Sequence, residues 1–387
     1  MPPPTPPDRR PEPKRVRLLI GVVLVAATAT ALAVPIVVRS LARSQAGALA
    51  DRIDRAQAAI DAMPRWHPPA YCSARGSRHD DWVLPRPLSA AYYPDVEALR
   101  ATVLEGRALD EAALALTERA RLDELPWQSM ACGRESFVPL GEGLELLLLL
   151  RFAQHAGAGG ERCLQTAREV IQVGFAEAAR PVGYPNDTQE YILGTVPPEW
   201  VTVGLLRCAE GSSPDAVASL GRQLSRMSPP SPARHIGLDR ISRARSYSDT
   251  LTVRLEESWL VPFNGEPAPL IEMATHHLVV AELATRIRAD AIPEALEVLD
   301  HPDLADGYGG RARAMIERYA TTMARVRMLA LALFAIAGEP LDDRLRDPDL
   351  ADPFTGRPFE WDGEQLASPG IRTKSGGVVP MAVRVAR

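Results

Sequence analysis

Aromatic side chains are scarce in this 387-residue chain, where Phe, Trp and Tyr together make up 5% of the residues. The apolar interior must therefore come from Leu, Ala and Val, a composition that favours helices over sheets. Hydrophobic residues amount to 46% and charged residues to 24%, which is typical of a folded chain and excludes a disordered one. The composition predicts a mainly α protein.

The chain also lacks the short motifs that mark common active sites. It contains no G-x-x-x-x-G-K-[ST], G-x-S-x-G, H-E-x-x-H or S-x-x-K segment. No cofactor is therefore predicted. The region after residue 38 carries a net charge of −8, which argues against a nucleic-acid-binding surface.

A long uncharged run stands near the start of the chain. Residues 18–38 contain no charged side chain and lie between Arg17 and Arg39. A helix needs roughly 20 apolar residues to cross the hydrocarbon core, so this run predicts a transmembrane helix. The alternative is a cleavable signal peptide, because residues 31–33 form an A-x-A site. Against cleavage, the apolar run continues through Val38, beyond what a signal peptide needs.

Charge asymmetry predicts the orientation of this helix. Residues 1–17 carry a net charge of +3, and basic residues close to a span stay on the cytoplasmic side. We therefore expect a single-pass protein of the bacterial inner membrane, with its N-terminus cytoplasmic and its body periplasmic. The seven prolines of residues 1–17 favour an extended polyproline II segment, which either docks a cytoplasmic partner or only sets topology.

The span is predicted to continue as a helical stalk over residues 39–63, ended by Pro64. The apolar residues that recur there at helical spacing are Leu41, Leu49, Ile53, Ala56 and Ile60. Residues 64–94 are rich in proline and aromatics and predict an ordered loop. Within it, His79-Asp80-Asp81 is interpreted as solvated charge rather than as a metal site.

Helical periodicity then dominates up to Gly338. We expect an irregular helical bundle with one half over residues 64–232 and another over residues 233–338, joined at the proline-rich segment 229–232. Residues 144–152 are apolar nearly all round and predict a buried helix. Residues 311–337 carry an apolar seam at alternating steps of three and four, typical of a helix that packs on a neighbour.

All four cysteines follow the span. An even number of cysteines in an oxidising compartment suggests two disulfides, and sequential pairing is our preferred connectivity among three. Four buried thiols are the alternative. The spacing does not match a zinc site. The cysteines are Cys72, Cys132, Cys163 and Cys208.

Residues 339–387 differ from the helical body. They contain a turn motif, D-P-F-T-G-R-P-F, and Phe359 and Trp361 alternate as one face of a strand. Residues 378–385 are predicted to pair with that strand as a short β-hairpin. The turn residues singled out are Asp352, Pro353, Phe354, Gly356 and Pro358.

This turn, following a helix and preceding a strand, resembles the end of a group of uncharacterised bacterial proteins. These are single-span, envelope-facing helical proteins that close with a D-P-F-x-G-[KR]-P motif. A more distant likeness is to the major pseudopilins of type II secretion, in which D-P-W-G-x-P-Y also follows a helix. The likeness covers residues 311–361 and does not include a prepilin cleavage site or an acidic C-terminal calcium loop. It implies a membrane-anchored helical envelope protein and no specific chemistry.

The best candidate for chemistry is a Glu/His group on a predicted helix over residues 270–290. Glu272 and His276 are four residues apart, so they share a helix face with His277 adjacent. They could act as an acid–base pair or bind a metal with a third ligand such as Glu282 or His235. The alternative is an ordinary surface pair on a helix.

Three functional hypotheses follow. The first is a non-catalytic envelope protein that contacts inner-membrane lipid through residues 18–38 and binds or scaffolds unidentified envelope proteins. The second is a membrane-tethered hydrolase that uses Glu272 and His276. The third is a transmembrane coupling protein that acts through its proline-rich tail.

Overall fold

The computed structural model describes most of the chain, with gaps between the segments. The described residues are 13–63, 96–105, 107–119, 122, 125, 127, 130, 141–156, 160–179, 199–257, 267–287, 292–300, 310–372 and 378–385. The first twelve residues of the tail, the segments 64–94 and 180–198, His79-Asp80-Asp81, Cys72 and Cys132 lie outside them.

The described elements are mainly helical, as the composition predicted. The helices are α1 (Pro13–Asp61), α2 (Val96–Glu105), α3 (Glu111–Arg119), α4 (Gly141–Ala156), α5 (Gly160–Ala178), α6 (Glu199–Glu210), α7 (Pro214–Ser225), α8 (Ala233–Glu257), α9 (Pro267–Ala284), α10 (Ile292–Leu299), α11 (Gly310–Ile336) and α12 (Leu341–Leu345). The strands are β1 (Glu360–Trp361), β2 (Gln365–Arg372) and β3 (Val378–Arg384).

The chain divides into two compact units. One takes the residues up to Ala58 together with Arg240–Val279, and the other takes Ala59–Asp239 and the residues from Val280 onward. The division falls inside three helices, α1, α8 and α9. The boundary that the sequence placed between residues 232 and 233 stays a prediction.

In the first unit, α1 lies antiparallel to α8. Arg39 Nη2 donates a hydrogen bond to the backbone oxygen of Leu255 at 2.6 Å, and Arg245 Nη2 lies 2.9 Å from Asp54 Oδ1. Helix α1 continues without interruption to Asp61, so residues 39–61 are helical as predicted. Its periodicity is also confirmed, except that Leu41 is 59% exposed. The buried residues that follow the alternating steps of four and three are Ala42, Ala46, Leu49, Ile53, Ala56 and Ile60.

In the second unit, helices α2–α7 contribute to one apolar core together with one face of α11. Helix α4 is buried there as expected, with Leu147, Leu149 and Leu150 fully covered. Local side-chain caps begin two of these helices. Asp110 Oδ1 accepts from the Ala113 N–H at 2.7 Å, and the Ser213 hydroxyl accepts from the Ala216 N–H.

A disulfide joins α5 to α6 within this core. Cys163 and Cys208 are bonded, with their Cα atoms 5.6 Å apart. This bond is one of the two in the sequential pairing that the sequence suggested. Cys163 is the fourth residue of α5, and Cys208 lies near the end of α6. The two cysteines are 45 residues apart in the sequence.

Helix α11 has a second apolar face, which packs on the small sheet. Met328, Leu331 and Phe334 lie in a cluster with Leu366 of β2 and Val383 of β3. Within the described residues, Ala312–Ile336 is the one helix long and apolar enough to cross a membrane, but 72% of its window is buried inside the protein. The apolar end of α11 is thus a core segment, as its length suggested. By the same criterion, α1 contains a shorter apolar segment, Gly21–Thr30.

The predicted two-stranded hairpin is wrong. The sheet has three antiparallel strands in the order β1-β2-β3, so β3 pairs with β2 and not with the strand that holds Trp361. Strand β2 was not predicted, because it contains Pro369 and Gly370 and both residue types interrupt regular strands. The structure accommodates them at a register shift between Ser368 and Ile371, where Gly370 has a positive φ of 74°.

Two helices also differ from the sequence expectation. Helix α8 was not predicted, because its many Arg and Ser residues hide its apolar pattern. Helix α9 was predicted over residues 270–290, but it begins at Pro267 and ends at Ala284. The buried residues of α8 that still show alternating steps of three and four are Ile241, Ala244, Ser248, Leu251 and Leu255.

Gly204 in α6 is expected to be required for close packing against α4. A Cβ placed there would lie 2.2 Å from a ring carbon of Phe152, which is fully buried and cannot move aside freely. We expect Gly204→Ala to lower the free energy of unfolding by about 1–3 kcal/mol through overpacking. Denaturant unfolding of the full-length protein measures this change in free energy.

Gly47 provides the matched control, because it also lies inside a helix and nothing lies within 4 Å of its Cβ position. Gly47→Ala should stabilise by about 0.5–1 kcal/mol, the usual gain for Ala over Gly in a helix. Equal effects of the two substitutions would contradict the predicted packing of Gly204 on Phe152.

The Cys163–Cys208 bond should stabilise the second unit. Replacing both cysteines with Ala is expected to lower the free energy of unfolding by about 2–4 kcal/mol, because the bond restricts the unfolded chain. Peptide mapping under non-reducing conditions should find the two cysteines linked. Recovery of both as free thiols from the native protein would show that the bond does not form.

Candidate functional site

The C-terminal turn is organised around the buried carboxylate of Asp352, whose residue is 1% exposed. Its Oδ1 accepts from the Phe354 N–H at 3.0 Å, and its Oδ2 accepts from the Thr355 hydroxyl at 3.2 Å. The Asp352 backbone oxygen accepts from the N–H groups of Thr355 and Gly356, at 3.2 and 2.7 Å. The predicted turn is therefore present, and Gly356 supplies its positive φ of 66°.

The same carboxylate joins the turn to the irregular part of β2. Ser368 Oγ donates to Asp352 Oδ2 at 3.0 Å and accepts from the Gly370 N–H, also at 3.0 Å. Ser368 thus bridges the irregular part of β2 and the turn through these two hydrogen bonds. Pro353 is buried beside Asp352, whereas Pro358 is exposed. These contacts give the turn motif a structural role in fixing the sheet.

Helix α11 supplies a cation to this turn. Arg327 Nη1 donates a hydrogen bond to the backbone oxygen of Ala351. Burial lowers the pKa of Arg327, while Tyr319 and the carboxylates of Asp349 and Asp352 act in the opposite direction. Burial raises the pKa of Tyr319, and the nearby Arg327 charge partly offsets this. Because its carboxylate partners favour the charged form, the guanidinium is held between the helix and the turn.

The three residues of the Glu/His group on α9 differ in their exposure to solvent. Glu272 is exposed and His276 is half-buried, while His277 is 4% exposed. The His277 ring stacks on Tyr247 with centroids 5.6 Å apart and planes 8° apart. Its Nδ1 lies 3.2 Å from Nη1 of Arg240, which can only donate, so Nδ1 accepts. His277 is thus held by α8, and its neighbours are those of a packed interior residue.

The residues proposed as further metal ligands lie on the same two helices. His235 of α8 is buried and Glu282 of α9 is half-buried. Among the residues that the structure describes, no group of three or more His, Cys, Asp or Glu side chains is placed to hold a metal ion. The hydrolase hypothesis stays a prediction.

Helix α8 carries three arginines with different exposure, namely Arg240, Arg243 and Arg245. Arg240 is 4% exposed, and its guanidinium contacts His277. Arg245 is exposed and forms an ion pair with Asp54 of α1. The three arginines fall on different sides of α8 because a helix turns 100° per residue.

A second buried polar group was missed by the sequence analysis. Arg151 of α4 places Nη2 3.5 Å from Glu169 Oε2 of α5, and both side chains are largely buried. Its Nη1 lies 3.0 Å from His155 Nε2, and its guanidinium lies 5.1 Å from the centroid of Trp127. The signal in the sequence is a single arginine that ends an apolar run in a helix of the core. A buried pair of this kind specifies how two helices meet.

A comparison of the chain with family models, with characterised proteins and with solved structures finds no match.

The Asp352 carboxylate should be essential for the stability of the C-terminal sheet. Asp352→Ala leaves the Thr355 and Ser368 hydroxyls and the Phe354 N–H without their acceptor. We expect the free energy of unfolding to fall by about 1–3 kcal/mol, since the Ser368 hydroxyl is buried and would be left without an acceptor. Thermal or denaturant unfolding of the full-length protein measures the loss.

Asp342 serves as the control, because it is an exposed aspartate shortly before the turn. Asp342→Ala should change the free energy of unfolding by no more than about 0.5 kcal/mol. If Asp352→Ala were equally mild, the carboxylate network would not hold the turn.

Proposed function

We propose that this chain is a single-pass protein of the bacterial inner membrane, with a cytoplasmic N-terminus and a periplasmic body that binds or scaffolds other envelope components. The observation that carries the proposal is the exposed apolar surface of α1. Every described side chain between residues 21 and 30 is exposed. Val25 and Ile36 are exposed by 71% and 70%. Apolar surface of this extent calls for an apolar environment, which a bilayer supplies.

The length and polarity of this segment support the same proposal. At 1.5 Å per residue, residues 18–38 form a helix of about 30 Å, the thickness of the hydrocarbon core. Its two described hydroxyls bond inside the helix: Thr28 donates to the Leu24 oxygen and Thr30 to the Ala26 oxygen, each at 2.8 Å. No polar group of these threonines therefore needs water in the bilayer.

The orientation is supported by charge and by the disulfide. The net +3 charge of residues 1–17 favours a cytoplasmic N-terminus. Disulfides persist in the periplasm and are rare in the cytoplasm, so the Cys163–Cys208 bond supports export of the body.

A binding or scaffolding role is supported by how the polar side chains of the body are used. Asp352 fixes a turn, His277 is packed between Tyr247 and Arg240, and Arg151 links two helices. Each of these conspicuous polar residues has contacts that account for it structurally. Internal polar contacts thus hold the elements of the body in place, and this suits a body whose surface binds other proteins.

Reporter fusions after Arg387 test the orientation. Alkaline phosphatase, which needs the periplasm to become active, should be active when fused there, and green fluorescent protein exported unfolded should stay dark. A fluorescent fusion with an inactive phosphatase fusion would overturn the proposal.

Arginine substitutions in the span provide the control for the reporter. Val25→Arg combined with Ala29→Arg should abolish phosphatase activity, because each arginine costs about 2.5–3.5 kcal/mol near the centre of a membrane helix. The matched pair is Ala58→Arg with Ala59→Arg, which are exposed positions of α1 some 20 residues beyond the span. This pair should keep the activity.

A further inference from the structure

The C-terminal end of α8 is tied to the point where the span ends. Arg39 is the first residue after the span, and its guanidinium donates to the backbone oxygen of Leu255, in the last turn of α8. A cation suits this position because the end of a helix carries partial negative charge. Since α1 and α8 are antiparallel, α8 runs back towards the membrane and ends close to its surface.

Apolar contacts continue this junction into the following turn of α1. The cluster joins α1, α8 and the start of α9. Its members are Ala42, Ala46, Leu251 and Leu255, with Leu270 and Ile271 packed against them. Three helices of the first unit therefore meet within two turns of the end of the span.

Two exposed apolar side chains stand at the same level. Leu41 is two residues beyond Arg39, and Val253 is two residues before Leu255, so each lies about 3 Å along its helix from the Arg39–Leu255 contact. Leu41 is 59% exposed and Val253 is 48% exposed. Outside residues 18–38, the large apolar side chains exposed in the described part of the chain are these two and Leu114.

The dimensions of a bilayer place this level in the headgroup layer. The hydrocarbon core is about 30 Å thick and the whole bilayer about 40–45 Å, which leaves roughly 5–7 Å of headgroup region on each side. Leu41 lies three residues, or about 4.5 Å, beyond the end of the span at Val38, which is inside that region. Arg43 and Arg254, which are also exposed on these two helices, suit it because long basic side chains reach lipid phosphates.

We propose that Leu41, Arg43, Val253 and Arg254 form a membrane-proximal patch that inserts into the headgroup layer of the periplasmic leaflet. The occupant of this patch is phospholipid. The inference rests on the proposed membrane anchor and adds a second lipid contact made by the folded body. It also accounts for the exposure of Leu41, which helical spacing alone placed on the apolar face of the stalk.

A fluorescent probe on α8 tests the patch in the full-length protein. Val253→Cys labelled with an environment-sensitive maleimide is placed in phosphatidylcholine and phosphatidylglycerol vesicles that contain headgroup-spin-labelled lipid. We expect a blue shift of the probe and loss of its fluorescence to the spin label. The unsubstituted protein, labelled in the same way, gives the background from native cysteines.

Ser242→Cys is the matched control. Ser242 is exposed and lies eleven residues before Val253, which is about three turns of the helix and about 16 Å further from the membrane on nearly the same face. Its probe should keep its fluorescence. Equal quenching at positions 242 and 253, or no quenching at position 253, would overturn the inference. Leu41→Cys gives a second probe of the patch on the other helix.

A probe in the span separates the two proposals. Leu24→Cys should be quenched by lipid with a spin label deep in the acyl chain. If it is not, the membrane anchor itself fails, and the patch fails with it. If Leu24→Cys is quenched while Val253→Cys and Leu41→Cys behave like Ser242→Cys, the anchor stands and only the patch is wrong.

Discussion

The second unit depends on burial of α11 from two sides. Val326, Leu329 and Leu333 belong to the helical core, while Met328, Leu331 and Phe334 belong to the cluster that includes the sheet. A helix that packs on both sides must be apolar around its circumference, and residues 328–334 are. Because the two clusters share this helix, the position of the sheet follows from the position of α11 in the core.

One charged residue of α11, Arg327, contacts the turn that precedes the sheet. Arg327 directly precedes the apolar segment and donates to the Ala351 oxygen at the start of the turn. Asp352 then connects the turn to Ser368 of β2, so a chain of polar contacts runs from α11 to the strand irregularity. Apolar packing gives most of the stabilisation here, whereas the buried polar contacts fix which turn and which strand meet the helix.

Two apolar segments of this chain have opposite surroundings. Residues 328–334 are fully covered by protein, while Val22, Leu24 and Val25 of α1 are more than half exposed. The difference in length and in flanking charge already separated them, since residues 18–38 lack charge and the apolar end of α11 is short. The structure adds the difference in burial. Packed neighbours cover residues 328–334, whereas none of the described elements covers Val22, Leu24 and Val25 to that extent.

The turn motif shows how far local sequence signals reach. Asp352, Pro353 and Gly356 predicted a turn, because each residue type favours a particular position in one. The partner of the following strand was predicted incorrectly, since Pro369 and Gly370 suggested a loop where β2 lies. The hydrogen bonds from Ser368 to Asp352 and from Gly370 to Ser368 stabilise that irregular strand. The first of them joins residues 16 positions apart, which is too far for a turn pattern to reveal.

The sequence by itself determined the helical class, the uncharged run at residues 18–38 and the helical continuation after it, because these depend on composition and on periodicity between near neighbours. Only the tertiary structure decided that Arg240 is buried against His277, that Arg39 meets the end of α8, and that β2 lies between β1 and β3. The two arginine contacts join residues far apart in the chain, and the strand order depends on how β2 pairs across the irregularity at Pro369 and Gly370. Burial and pairing at such distances follow from packing, which no local pattern encodes.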